Sequence, residues 1–428
     1  MTLPLAAWAG LTRVSAPALR AMLRRRVTRG KEIATRLPER EAIETMARPA
    51  GRLIWLHAAS LGETISILPV LCALARQPGT VLLTTGTVTA QRLLAQRLPD
   101  LGLTGRVIQR FVPLDVPAWV ARFLDHWKPD VAGFVESEIW PNTLSAASRR
   151  GIPLMLINAR LSARSLARWQ MAPKSARTIL GWFAMIHPQS TVDGDRFSSL
   201  SPVRVLPAGN LKLAAPPLPA DGRELNHLSS LIGGPTWVAA SLHRGEDEIV
   251  LAAHRRLAAT HPGLLTIIVP RHPERGEAIA ALAGGAPRRS MGQPPPRSGG
   301  VWIADTVGEL GLIYRLAPVA FVGGSLVRHG GQNPAEAARL GRAVAVGPFT
   351  TNFADTVALL RDGGALIEIA DGEALTTWID ARLRDPWGTT AMGDKGVRLL
   401  DGFSSLPTEI ADMLAGLAEK GAASRGQE

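Results

Sequence analysis

The feature that most constrains the fold is an alternation of short apolar runs with longer amphipathic stretches after residue 50. Apolar runs of this kind are typical of parallel strands whose two faces are covered by helices. The pattern predicts a doubly wound α/β fold. In the first half we predict strands at 52–57, 80–85, 106–111, 131–135, 153–158, 184–187 and 203–206, and helices at 62–76, 88–98, 117–127 and 140–149.

The alternation stops at 214–222 (AAPPLPADG), a composition typical of a linker, and then restarts. Strands are predicted at 236–241, 264–270, 301–304, 318–322, 342–347 and 365–369, with helices at 246–260, 308–317, 333–341, 353–362, 373–384 and about 390–418. A chain of 428 residues suits two domains. The predicted divisions are a basic segment 1–45, a first domain 46–213, a linker 214–235 and a second domain 236–428 that includes the C-terminal helices.

The N-terminal segment is basic, with ten Lys or Arg against four Asp or Glu in residues 1–50. Its longest uncharged apolar stretch, about 3–12, is too short to span a bilayer, which takes roughly 20 residues. The segment predicts a helix that lies on an anionic membrane surface, or else an ordinary surface helix with a solvated basic face. The apolar face would consist of Leu5, Trp8, Leu11, Leu19, Met22 and Leu23.

Ligands of doubly wound sheets bind at the carboxyl ends of the strands, so we expect the active site there, in the cleft between the domains. The first such end carries HAASLGE (57–63). Ser60 and Glu63 have the spacing of a helix capping box. Gly62 would let another molecule approach the backbone closely. Glu63 therefore either caps the helix only, or caps it and also acts in catalysis.

The strand 131–135 ends in ESEIWPN, which carries Glu136 and Glu138. Carboxylates at a buried strand end need donors or cations. The two either cap the helix that Pro141 begins or serve a function. Asn210 and Lys212 of GNLK follow the last predicted strand of this half and would reach the same edge.

The second half has residues suited to anions. Arg271 of PRHPER follows the strand 264–270, and its guanidinium fits phosphate. The glycine-rich segments GGSLV (323–327) and GGQNPAE (330–336) would present free backbone N–H groups to an anion. Glu336 either pairs with the helix dipole or accepts ribose hydroxyls, and the convergence of glycines, Asn333 and Glu336 on one turn favours function.

Several classes of site are not supported. The chain has no G-x-G-x-x-G after the first strand, no P-loop lysine motif and no C-x-x-C. Its single Cys72 cannot form an intrachain disulfide. Residues 287–300 (PRRSMGQPPPRSGG) are expected to be a flexible surface loop, or else a docking segment formed by the Pro run. We predict no metal site, because His243, His254, His261, His272 and His329 lack metal-ligand spacing.

An ordered set of motifs resembles the 3-deoxy-D-manno-octulosonic acid (Kdo) transferases of lipopolysaccharide synthesis. The set is HAASLGE, ESEIWPN, NARLS, GNLK, SLHRGEDE, PRHPER, DTVGEL, GGSLV, GGQNPAEAARLG and GPFTTNF, and the resemblance runs from about residue 29 to 353. It implies a GT-B fold with two Rossmann-like domains. It also implies inverting transfer of Kdo from CMP-Kdo to the lipid A precursor lipid IVA, without a metal, on the cytoplasmic face of the bacterial inner membrane.

The resemblance also implies roles for residues in these motifs. Glu63 would be the base that deprotonates the acceptor hydroxyl, with Glu138 and Lys212 assisting the transition state. CMP would be held by Pro270, Arg271, Gly308, Glu309, Leu310, Asn333, Pro334, Ala335 and Glu336. Further candidates are Ser60, Gly62, Glu136, Asn210, Ser241 and Gly331.

Two other functions fit parts of the sequence. One is a GT-B glycosyltransferase that uses a UDP-sugar. The other is a basic nucleic-acid-binding protein, because the formal net charge is +12. The aromatic content of 5%, the lack of a recognised motif and the concentration of charge near the N-terminus argue against a nucleic-acid partner.

Overall fold

The computed structural model describes residues 2–425. The chain divides into two compact units, the first comprising 1–215 and 405–428 and the second 216–404. Met1 and residues 426–428, which the predicted domains included, lie outside the described residues.

The strands of the first unit are β1 Leu53–Ala58, β2 Thr80–Thr85, β3 Val107–Phe111, β4 Val131–Val135, β5 Leu154–Ala159 and β6 Met185–Pro188. Those of the second are β7 Thr236–Leu242, β8 Leu265–Pro270, β9 Gly300–Ile303, β10 Val319–Val322, β11 Ala343–Val346 and β12 Leu366–Glu368. The strand orders are β3-β2-β1-β4-β5-β6 and β12-β11-β10-β7-β8-β9. All pairs are parallel. Each sheet therefore has the Rossmann order, with a switch point beside its first strand.

The helices before the second sheet are α1 Leu3–Val14, α2 Ala16–Thr28, α3 Leu61–Leu74, α4 Val88–Asp100, α5 Pro117–Trp127, α6 Pro141–Arg149, α7 Ala163–Gln170, α8 Pro173–Leu180, α9 Thr191–Leu200 and α10 Gly222–Leu231. Those that follow are α11 Glu246–Ala258, α12 Gly276–Leu282, α13 Leu310–Arg315, α14 Ala335–Arg339, α15 Ala354–Asp362, α16 Gly372–Arg384, α17 Pro386–Asp401 and α18 Leu406–Arg425. Short 3₁₀ segments lie at Ala34–Glu41, Leu211–Leu213, Pro273–Arg275 and Arg289–Met291.

The apolar runs form the cores because both faces of the sheets are covered. Every residue of β1 is buried, and Trp55 packs against Phe123 of α5 and Phe134 of β4 at ring-centroid distances of 4.7 and 5.1 Å. In the second unit Trp237 and Phe321 lie in a separate buried cluster. Two separate cores explain why the chain forms two units.

Two predictions about the chain's organisation are wrong, and a third holds in part. Residues 203–206 form no strand, since only Val205 makes an isolated bridge, to Ile186. The predicted linker 214–235 includes the division between the units, after residue 215, but its second part forms the helix α10, which Asp221 caps by accepting two backbone N–H groups. The C-terminal helix α18 belongs to the first unit, where it packs on α3 and β4.

The N-terminal segment forms two helices that break at Ser15. The predicted apolar face is divided, because Leu5 is buried in the first core whereas Leu11 is exposed. Helix α1 is held by Trp8 Nε1–H, which donates to Asp115, and by Thr12, which accepts from the Asn142 amide. No helix within residues 2–425 is both long and apolar enough to cross a membrane.

The segment 287–300, predicted to be a flexible loop, is held by charged contacts. Arg288 pairs with Asp305 at 2.8 Å, and Arg289 pairs with Glu309 at 2.5 Å and with Glu224 at 2.9 Å. The backbone oxygen of Gln293 accepts from the indole of Trp302. Residues 292–299 have no helix or strand, as the prediction of a surface loop requires, but residues 288–293 are held by partners that lie elsewhere in the chain.

Candidate active site

The candidate residues of the first unit lie just beyond the carboxyl ends of β1 and β4 and in the segment after β6. Glu63 stands in the first turn of α3, Glu136 and Glu138 follow β4, and Lys212 lies in the 3₁₀ turn Leu211–Leu213. Parallel strands bring these segments to one edge of the sheet.

Glu63 forms the capping box that its spacing predicts. Its Oε2 accepts the N–H of Ala59 at 2.8 Å, its Oε1 accepts the Ser60 hydroxyl at 2.7 Å, and the Ser60 oxygen accepts the Glu63 N–H at 3.3 Å. The residue is only 8% exposed. The capping role is therefore real, and each carboxylate oxygen keeps a further lone pair for another donor.

The surroundings of Glu63 favour its protonated form. Burial raises the pKa of this carboxyl, and the nearby charges of Glu138 and Glu136 raise it further. The hydrogen bonds from Ser60 and from the Ala59 N–H act in the opposite direction without cancelling the rise. A buried carboxylate with a raised pKa beside two others is a pattern typical of acid–base sites.

In Glu138 the contributions to the pKa sum to a decrease, the opposite of the result for Glu63. Burial raises its pKa, but the hydrogen bond and charge of His57 and the hydrogen bond from Trp140 outweigh burial, so the pKa lies below its ordinary value. His57 Nε2 lies 3.3 Å and Trp140 Nε1 2.7 Å from the same oxygen, Oε2. Glu63 and Glu138 are neighbouring carboxyls whose pKa values are displaced in opposite directions, which separates their chemical roles.

Glu136 forms an ion pair with Lys212, whose Nζ lies 2.6 Å from its Oε1. Glu136 has a left-handed backbone with φ of 58°, and so has Asn158 in the next strand, with φ of 53°. Asn158 Oδ1 accepts the N–H of Leu211, and Asn210 Oδ1 accepts that of Lys212. The two asparagines thus fix the turn that carries Lys212. The left-handed backbones of Glu136 and Asn158 are strained in a way that clusters at functional sites.

In the second unit, Arg271, Asn333 and Glu336 lie close together. Burial raises the pKa of Glu336, which the hydrogen bond from Asn333 and the charge of Arg271 oppose. The Asn333 amide lies 3.3 Å from Glu336 Oε1, and Asn333 Oδ1 accepts the N–H of Ala335 at 3.1 Å. Pro334 directly precedes α14, and Pro270 ends β8. One cation, one amide and one carboxylate are thereby grouped at the carboxyl edge of the second sheet.

The expectation that the GGSLV loop offers free N–H groups to an anion is wrong. The fully buried Glu246, in the first turn of α11, accepts the N–H groups of Gly324, Ser325 and Leu326 at 2.7 to 3.0 Å. It also accepts the N–H of His243 at 2.9 Å. The protein's own carboxylate takes the place expected for a ligand and fixes the loop.

The DTVGEL segment places Gly308, Glu309 and Leu310 at the start of α13. The hydrogen bond from Arg289 lowers the pKa of Glu309, and the Thr306 hydroxyl also donates to this carboxylate. The side chain of Glu309 is thus already engaged. Gly308 has a φ of 85°, a conformation that favours glycine.

Ser241 and Gly331 are both in left-handed conformations, with φ of 59° and 80°. Ser241 lies at the point where the pairing of β7 with β8 shifts register. A Cβ on Gly331 would lie 3.2 Å from Thr350 Cα, so GPFTTNF packs closely on the GGQNPAE turn. Both positions therefore shape the backbone around the grouped residues.

Sequence spacing missed a cluster of three imidazoles. The rings of His243 and His329 stack at 3.6 Å, and the His272 ring lies 6.0 Å from that of His243. Burial lowers the pKa of His243 to about 4, and the charges of His329, His272 and Arg271 contribute. Across residues 2–425, no three His, Cys, Asp or Glu side chains are grouped as metal ligands.

We expect Ser60→Ala to lower stability and to shift the pH dependence of activity. Losing the N-cap costs about 1 kcal/mol. Losing the hydroxyl also removes a hydrogen bond that lowers the pKa of Glu63, so that pKa rises further and the acid limb of the rate profile moves to higher pH.

Ser190→Ala, which removes the N-cap of α9, is the matched control. It should show a similar loss of melting temperature and an unchanged rate profile; equal profiles for the two variants would refute the prediction.

Comparisons with known proteins decide the family. Residues 32–215 match the family model described as 3-deoxy-D-manno-octulosonic-acid transferase (kdotransferase). The chain is 35% identical, over 88% of its length and 87% of the relative's, to a probable mitochondrial 3-deoxy-D-manno-octulosonic acid transferase of Arabidopsis thaliana. The chain belongs to the 3-deoxy-D-manno-octulosonic acid transferase family. A second relative, the transferase of Haemophilus influenzae, is 33% identical over 87% of this chain and 88% of its own.

The resemblance deduced from the ordered motifs is thereby confirmed. Among solved structures, UDP-GlcNAc 2-epimerase from Neisseria meningitidis is similar in fold, with a TM-score of 0.59, 14% identity and coverage of 86% of this chain and all of that one. At this identity the likeness concerns the fold alone. It agrees with the two Rossmann-type sheets and confirms the predicted two-domain GT-B class.

Proposed function

We propose that the chain transfers Kdo from CMP-Kdo to a hydroxyl of the lipid A precursor lipid IVA, with inversion at the anomeric carbon. Membership of the Kdo transferase family is the observation that carries the proposal. The site geometry supplies the groups that such a reaction needs, and the family's activity favours a CMP-activated donor over a UDP-sugar.

Glu63 is the proposed base. The acceptor hydroxyl must lose a proton as it attacks, and a carboxylate within hydrogen-bond distance serves this purpose. The raised pKa of Glu63 makes it a stronger proton acceptor when ionised. Glu138, whose pKa is lowered, stays ionised, and with Lys212 it is proposed to stabilise charge that develops in the transition state.

The second unit is proposed to hold the nucleotide. The Arg271 guanidinium suits the phosphate of CMP, and Glu336 with Asn333 suits the hydroxyls of the ribose. The close grouping of these three residues supports this assignment. Arg271 supplies positive charge as CMP departs. That no metal is required stays a prediction.

We further propose that the N-terminal helices contact the anionic cytoplasmic face of the inner membrane. Leu3, Leu11, Val14 and Met22 are exposed, and the arginines of α2 add positive charge beside them. Exposed apolar groups together with basic side chains bind anionic lipid surfaces. Leu61 and Ile65, also exposed, lie four residues apart on the solvent-facing side of α3, and this apolar pair suits the acyl part of a lipid acceptor.

We expect Val14→Glu to weaken binding to vesicles that contain anionic lipid by about tenfold or more, because burial of a valine side chain is worth at least about 1.5 kcal/mol. Val192→Glu, at another exposed valine of the first unit, is the matched control. Flotation with vesicles measures both variants. Equal binding by the two would remove α1 from the proposed membrane contact.

The donor class is tested by the melting temperature of the protein with CMP and with UDP. A ligand that binds only the folded state raises the melting temperature. We expect CMP to raise it and UDP to leave it unchanged, and Arg271→Ala to remove the CMP effect. A rise with UDP alone would favour a UDP-sugar glycosyltransferase instead.

A further inference from the structure

His57 is a buried residue of the HAASLGE motif whose ring lies between β2 and the loop that carries Glu138. It is 0% exposed. Its Nδ1 lies 3.1 Å from the backbone oxygen and 3.0 Å from the hydroxyl of Thr84, and its Nε2 lies 3.3 Å from Glu138 Oε2. The edge of the ring packs against Phe134. Packing and hydrogen bonds on both sides leave this imidazole a single orientation.

The chemistry of the partners determines where the hydrogen atoms lie. An ionised carboxylate only accepts hydrogen bonds, so the hydrogen shared with Glu138 is on His57 Nε2. Thr84 offers a carbonyl oxygen that accepts and a hydroxyl whose hydrogen can be donated either to Nδ1 or to the backbone oxygen of Leu56, 3.3 Å away. Nδ1 is therefore satisfied with or without a hydrogen, and Nε2–H keeps facing Glu138 in either form of the ring.

His57 and Trp140 act on the same oxygen of Glu138. The Trp140 indole N–H donates to Oε2 at 2.7 Å, beside the contact from His57. Among the described residues, Oε1 of Glu138 accepts no hydrogen bond. Two donors from different elements thus fix one oxygen and leave the other for a further partner.

We propose that His57 is a positioning residue for the transfer reaction: together with Trp140 it fixes Oε2 of Glu138 and leaves Oε1 available to the reacting groups. This inference rests on the proposed function, in which Glu138 assists the transition state. His57 touches no substrate in this scheme and acts through the carboxylate.

The contact between His57 and Glu138 affects the pH dependence of the transfer rate. The titratable groups around Glu138 are His57 on β1, Glu63 on α3, and Glu136 with its partner Lys212. Burial alone would raise the pKa of Glu138, and the contacts from His57 and Trp140 reverse this. Without His57, burial prevails, Glu138 takes up a proton at higher pH, and the acid limb of the rate profile moves to higher pH.

The test compares His57→Leu, His57→Gln and Trp140→Phe in the full chain. We expect His57→Leu to lower kcat by about 100-fold, the loss that a displacement of about 1 Å can cause at a catalytic group, with little change in the KM for CMP-Kdo. Its acid limb should move to higher pH. His57→Gln keeps an amide donor near the place of Nε2 and should restore much of kcat. Trp140→Phe removes the second donor at a partly exposed position and should move the acid limb in the same direction.

Unchanged acid limbs in both His57→Leu and Trp140→Phe, measured per folded molecule, would overturn the proposal. So would a change confined to the KM for CMP-Kdo. If His57→Leu does not fold, Trp140→Phe alone decides. If the wild-type protein makes no Kdo product, the proposed function fails instead. The His57–Glu138 contact is then tested by ¹⁵N NMR, in which Glu138→Gln should shift the Nε2 resonance of His57 and an unshifted resonance would refute the contact.

Discussion

Glu63→Gln is expected to abolish Kdo transfer while the fold and CMP binding persist. Glutamine also closes a capping box at this position, so the start of α3 should survive the change. Its amide cannot take a proton from the acceptor hydroxyl, and loss of a general base lowers a rate by about 10²- to 10⁴-fold. Single-turnover rates, melting temperature and CMP titration measure the three quantities separately.

Asp193→Asn is the matched control for this experiment. Asp193 closes a capping box with Ser190 at the start of α9 and, like Glu63, is a buried carboxylate in a first helical turn. The control should keep its fold to about the same extent as Glu63→Gln, because its carboxylate likewise accepts one backbone N–H and one serine hydroxyl, and it should also keep its rate per folded molecule. Should Glu63→Gln instead melt much earlier and keep its rate per folded molecule, capping would be the only role of Glu63.

Glu246→Ala is expected to unfold the second unit. The carboxylate accepts four backbone N–H groups, from His243, Gly324, Ser325 and Leu326. Each buried donor left without an acceptor costs about 1–3 kcal/mol. Their combined cost is comparable with the total stability of a typical domain, about 5–15 kcal/mol. Circular dichroism melting and limited proteolysis should show the loss, together with the loss of CMP binding.

Glu248→Ala, in the same first turn of α11 but exposed, is the control. It removes only a favourable interaction with the helix dipole, worth less than about 1 kcal/mol. If Glu246→Ala melts at the same temperature as Glu248→Ala, the carboxylate does not hold the glycine loop, and the structural explanation of GGSLV is wrong.

The sheets were predictable because their signal is local. Buried parallel strands are continuous apolar runs, and the residues that follow them mark the functional edge. The Ser60 to Glu63 spacing predicted the capping box for the same reason, since all its partners lie within one turn. Charged and polar residues at strand ends therefore identified the candidate site from sequence.

What the sequence did not predict depends on partners far along the chain. Glu246 reaches a loop 78 to 80 residues away, and no local pattern in SLHRGEDE shows it. The His57–Glu138 contact joins residues 81 apart. The helix α18 follows the second unit along the chain but belongs to the first, because it packs against α3. Such pairings follow from topology rather than from spacing.

The measurement that tests the central claim most directly is the mass of the acceptor after incubation with purified protein. CMP-Kdo, generated in the reaction, and lipid IVA are the substrates, and mass spectrometry reads the product. We predict one or more Kdo-sized increments with the wild-type protein and, at equal folded concentration and reaction time, at least about 100-fold less product with Glu63→Gln. An acceptor left unmodified by the wild-type protein, or modified equally by the variant, would contradict the account.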